Sequence, residues 1–107
     1  MWQRYKKNND EKLRKYKISL RNLLFSKIDF TSIIGDGICT VSFTISDHGK
    51  LTNRTFKQKA ANSMLNDAVY SAFMSTPGYK APPSAYKGET LNFTVQFIGG
   101  KYEIDLQ

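Results

Sequence analysis

Two short segments of this chain alternate apolar and polar residues with period two, and that alternation limits the folds open to it. In the first, Cys39, Val41, Phe43 and Ile45 interleave with Thr40, Ser42 and Thr44; in the second, Leu91, Phe93, Val95 and Phe97 interleave with Asn92, Thr94 and Gln96. Successive side chains of a strand point to opposite faces. Each segment therefore predicts a strand with one apolar face and one face of hydroxyl and amide groups. The apolar faces need a cover, and two segments with helical periodicity can supply it. Leu13, Tyr16, Leu20, Leu23, Leu24 and Ile28 recur at steps of three and four, which predicts an amphipathic helix over residues 9–28, with Asn8 as N-cap and Glu11 and Lys15 as a surface pair. Met64, Leu65, Ala68, Val69, Ala72 and Phe73 form a second stripe, preceded by Asn62 as N-cap and stopped by Thr76-Pro77-Gly78.

The remaining segments read as connections. Gly35-Asp36-Gly37 is a turn, and Ser46-Asp47-His48-Gly49-Lys50 is a tight connection into a return strand over 51–56 whose apolar positions are sparse. Residues 77–88 hold three prolines and two glycines and predict an ordered surface loop. Gly99-Gly100 ends the strong strand over 90–98, and residues 102–106 form either a short fourth strand or a tail. The expected architecture is α+β, a two-layer sandwich of order α-β-β-α-β with both helices on one face of a small antiparallel sheet. All 107 residues fit one domain, with 1–8 as a flexible tail and 38–98 as the ββαβ core.

Charge is unevenly spread. The chain carries 16 Lys+Arg against 9 Asp+Glu, and nine of those basic residues but only three acidic ones lie in residues 1–30. A basic block at one end suggests a polyanion, so a small basic α/β nucleic-acid-binding domain is the alternative class. Its details fit poorly. Phe43, Phe93 and Phe97 follow the apolar alternation and read as core, whereas a sheet that binds RNA needs aromatics on its open face. Most basic residues fall between the apolar positions of the first helix and read as its wet side, so no nucleic acid is expected as partner.

Little here points to catalysis. The single histidine, His48, sits beside Asp47 in a turn, with no second His or nucleophile near it in sequence. No spacing offers three or four metal ligands, and neither Gly35-Asp36-Gly37 nor Gly99-Gly100 completes a phosphate-binding loop. Neither catalytic residues nor a cofactor are expected. The lone cysteine, Cys39, reads as core packing.

From Val41 onward the chain resembles the C-terminal domain shared by the TonB and TolA energy transducers of Gram-negative envelopes. Three pieces carry the resemblance, in order: the strand, turn and return strand from Val41 to Asn53; Ala60-Ala61-Asn62-Ser63-Met64-Leu65-Asn66-Asp67-Ala68-Val69, similar to the family's Ser-Gly-Asn-x-x-Leu-Asp-x-Ala helix start; and Pro82-Pro83, Gly88 and the strand from Leu91 to Phe97. The sequence departs from that pattern at Ala60-Ala61, Asn66 and Arg54. The resemblance implies a binding module rather than an enzyme. Its place would be the periplasm, as a fragment of a protein anchored in the inner membrane. There it would couple a proton-driven inner-membrane motor, reached through the missing N-terminal part, to the outer membrane. Its partner would be a segment of an outer-membrane receptor or transporter, or a protein of the Tol-Pal system, added as a strand to an open sheet edge.

On that basis the strand over 90–98 is the expected edge, with Thr90, Asn92, Thr94 and Gln96 along it and Tyr79, Tyr86 and Lys87 as a rim on the preceding loop. TonB-like and TolA-like use both remain open, as does pairing of two copies into a homodimer. A strand over 102–106 would cover the expected edge.

Overall fold

In the computed structural model the backbone is described from Trp2 to Gln107 and the side chains from Asp10 onward. Helix α1 spans Trp2–Ser26, strand β1 Gly37–Ile45, β2 Leu51–Gln58, helix α2 Ser63–Met74, β3 Leu91–Ile98 and β4 Lys101–Leu106. The expected α-β-β-α-β order is present, followed by β4. The sheet is antiparallel throughout, in the order β2-β1-β3-β4.

The sheet register puts Cys39, Val41 and Phe43 opposite Val95, Phe93 and Leu91, and Phe93 and Val95 opposite Leu106 and Ile104. These residues share one face and pack with Leu20 and Leu24 of α1 and Leu65, Val69, Ala72 and Phe73 of α2 in a single apolar cluster. Phe73 is its centre, edge-on to Phe43 at 5.3 Å and to Phe93 at 5.7 Å between ring centroids. Each such buried ring stabilises the fold by roughly 1.5–3 kcal/mol. The opposite face carries the polar half of the alternation. Thr40 and Ser42 are nonetheless buried there, because their hydroxyls bond across the strands, Thr40 with Thr94 at 2.9 Å and Ser42 donating to Asn92 at 2.7 Å.

Three local expectations change. Residues 2–8 belong to α1 instead of forming a tail, and Asn8 lies within the helix rather than capping it; Met1 lies outside the described residues. No proline or glycine interrupts residues 2–26, so nothing in that stretch forces a helix boundary. Glu11 pairs with Arg14 at 4.0 Å, one turn on, instead of Lys15. Residues 102–106, left open as strand or tail, form β4.

The two departures at Asn66 and Arg54 acquire structural roles. The Asn66 amide accepts from the Ala60 N–H and donates to the Ala60 carbonyl, both at 2.8 Å. A carboxylate could serve only the first of these bonds. Arg54 donates from Nη1 to the Phe73 carbonyl at 2.8 Å, placing a cation at the negative end of α2. Asn62 caps α2 as expected, accepting from the Met64 N–H at 3.1 Å, and also donates to the Ile34 carbonyl at 3.0 Å.

Candidate partner-binding edge

Strand 90–98 is not an edge: β3 lies between β1 and β4. The reason is the Gly99-Gly100 pair. Both glycines have positive φ, 60° and 77°, and they form a two-residue turn that folds the chain back so that Lys101 faces Ile98. The expected edge is therefore covered by the next strand. Asn92, Thr94 and Gln96 do line the polar face, but Asn92 and Thr94 are engaged with Ser42 and Thr40, and Gln96 is half-buried between Ile38 and Glu103. Thr90 is exposed just before β3.

The expected rim serves the fold. Tyr86 is buried; its hydroxyl accepts from the Ile45 N–H at 3.0 Å and donates to the Glu89 carbonyl at 2.7 Å, so it ties the loop to the end of β1. Burial raises its pKa. Tyr79 is half-buried, with its ring 5.4 Å from Tyr16 and its N–H bonded to the Gly49 carbonyl at 2.8 Å. Lys87 is exposed, and its N–H donates to a Glu89 carboxylate oxygen at 2.7 Å. Tyr79 and Tyr86 both stand near enough to Tyr16 to raise its pKa, while Asn92, Thr94 and Gln96 lie on the polar face of the sheet.

The sheet's edges are β2 and β4. Along β2, Leu51 donates its N–H to Pro77 at 3.0 Å, Lys50 bridges to Gly78, and the register slips at two places, once between the Thr40 and Val41 partners and once between those of Ser42 and Thr44. Each slip leaves an extra residue on β2, which is a bulge. At the second, Asn53 takes a φ of 55° and its amide donates to the Thr44 hydroxyl at 2.8 Å.

β4 is different, because its register with β3 is unbroken. Asn92 and Gln107 exchange both backbone hydrogen bonds, at 2.8 and 3.0 Å. Antiparallel ladders alternate bonded and non-bonded pairs, so the bonded pairs along β4 are Asp105 with Thr94 and Glu103 with Gln96. Tyr102, Ile104 and Leu106 then direct N–H and C=O away from β3. Among the described residues nothing bonds to these groups. Their side chains lie on the core face: Leu106 is buried, Ile104 is half-buried, and Tyr102 stacks on Phe30 at 4.5 Å while 49% exposed. Lys101, Glu103 and Asp105 are exposed on the opposite face.

These edge residues have a sequence signal. Tyr102, Ile104 and Leu106 alternate with Glu103 and Asp105, and a Gly-Gly pair separates them from another alternating run, which is a hairpin pattern. Elsewhere, His48 is exposed in the β1–β2 turn. Cys39 is buried in the core, and burial pushes its thiol pKa to about 11. Among the described residues no group of three His, Cys, Asp or Glu side chains is placed to hold a metal ion. Comparison with family models, curated proteins and solved structures returns no match for this chain.

Proposed function

We propose that this chain is a partner-binding domain that accepts an extended segment of another protein as an added strand along β4. The observation that carries this reading is the row of outward backbone groups at Tyr102, Ile104 and Leu106, on a strand of regular register whose core face packs against α1 but whose outward groups bond to no described residue. A paired strand satisfies such groups at about 1 kcal/mol net per hydrogen bond and makes few demands on side chains. The class we read from the resemblance is a periplasmic TonB/TolA-like domain. Its partner would be an outer-membrane receptor or transporter segment or a Tol-Pal protein, and the proton-driven inner-membrane complex would be engaged through preceding sequence. What supports that class is the ordered set of motifs from Val41 to Phe97, with the binding edge moved from β3 to β4.

The nucleic-acid alternative has less support. The sheet's uncovered face presents Thr40, Ser42, Asn92 and Thr94, while Phe43 and Phe93 are fully buried beneath the helices. That face therefore lacks a stacking platform for bases.

Ile104→Pro is the direct test. The Ile104 N–H points away from β3, so proline removes one edge donor without breaking the β3–β4 ladder. Ile104→Ala controls for lost packing. With a receptor-derived segment as titrant, Ile104→Pro should weaken binding about fivefold or more beyond Ile104→Ala. Equal binding by the two variants, or amide shifts confined to Lys12, Arg14, Lys15 and Arg21, would reject strand addition at β4.

A further inference from the structure

We infer that the strand received by β4 alternates basic with apolar residues. The inference rests on strand acceptance at β4 and concerns what the edge selects. An antiparallel strand laid against Tyr102, Ile104 and Leu106 forms bonded pairs at those residues, so Glu103 and Asp105 fall at the non-bonded positions, where facing side chains come closest. Both carboxylates are exposed on the polar face, and the ion pair found among the described residues, Glu11 with Arg14, involves neither. A basic side chain beside each meets an unneutralised carboxylate. On the other face the incoming residues lie beside Tyr102 and Ile104, which continue the apolar layer through Phe30 and Phe25. Apolar residues fit there. Lys101 shares the polar face at the turn end, so the charge selection acts at the two positions beside Glu103 and Asp105.

The test uses the full chain and two short capped peptides, one alternating valine with lysine and the other valine with glutamate, titrated into the ¹⁵N-labelled protein. The lysine peptide should shift the amides of Tyr102, Ile104 and Leu106 and bind roughly fivefold more tightly than the glutamate peptide. That preference should fade at about 1 M salt. It should disappear in Glu103→Gln/Asp105→Asn and reverse in Glu103→Lys/Asp105→Lys; exposure of both positions keeps the native spectrum as the check on folding. Equal affinity of both peptides at β4 overturns the charge selection and leaves strand acceptance standing. Failure of both peptides to move β4 amides overturns strand acceptance, and the charge selection with it.

Discussion

The two edges of this four-stranded sheet are built to opposite ends. β2 is the longer strand, yet its outer side is broken up: two bulges displace its ladder, Asn53 adopts a left-handed backbone, Arg54 reaches over to the end of α2, and Pro77 and Gly78 cover its start. β4 is shorter and runs in unbroken register with β3. A free strand edge invites pairing with any extended chain, so bulges, covers and charges are the means of closing it. Both devices are present and differently placed. Bulges and the residues 77–78 interrupt the outer side of β2, whereas the β4 backbone stays regular, with Glu103 and Asp105 exposed beside it.

Three experiments would break or sharpen this contrast. The largest effect is expected from Gly49→Ala. Gly49 has a φ of 89°, and a Cβ there would collide with the Tyr79 and Lys80 carbonyls. Unfolding in urea should show a loss of about 3 kcal/mol, and β2 should lose the protection supplied by residues 77–79. A loss below about 1 kcal/mol would mean that the loop does not close this edge. Hydrogen exchange reads the contrast directly. Tyr102 and Ile104 amides should exchange on the order of 100-fold faster than those of Glu103 and Asp105, while the Leu51 amide, bonded to Pro77, stays protected. Uniform protection along β4 would show that its outer side is already paired.

The smallest effect concerns the tyrosine that pins the β2 cover. Tyr16 donates to the Lys80 carbonyl at 2.6 Å, and burial, with smaller contributions from Tyr79 and Tyr86, raises its pKa from 10.0 to about 12. The folded protein therefore holds this proton more tightly than the unfolded chain. Its contribution is complete below pH 10 and is lost as pH rises toward 12. Tyr16→Phe should cost about 1 kcal/mol near neutrality, from the lost hydrogen bond, and should flatten that part of the alkaline stability profile. An unchanged profile in the variant would assign the alkaline loss to other groups, such as Cys39.

The strong periodic segments were legible because period alone separates their faces. The alternation at 39–45 and 91–97 and the stripe at 64–73 place most of their apolar residues in the core, with Met64 exposed and Phe97 half-buried as the exceptions, and Asn62 caps where its position indicates. The candidate edge was misplaced for an identifiable reason. Read by itself, Gly99-Gly100 is a breaker; between two alternating runs it is a turn whose positive φ values match the twist of a hairpin. The rim residues failed differently. Tyr79, Tyr86 and Lys87 lie in a loop with no period, so nothing in their spacing tells a partner contact from a strut such as the Tyr86 hydroxyl between Ile45 and Glu89.

By itself, then, the sequence determined the α+β class, the order of elements, which face of each principal strand is buried, and the concentration of positive charge on α1. These follow from side-chain periodicity and composition, which are local properties. The tertiary structure alone decided which strand is interior, which edge is closed and which is open. Strand neighbours are set by long-range backbone pairing, and the direction of a backbone N–H depends on the phase of the ladder to which it belongs. That phase turns the backbone groups of Tyr102, Ile104 and Leu106 outward, and with them the edge on which the proposed strand addition rests.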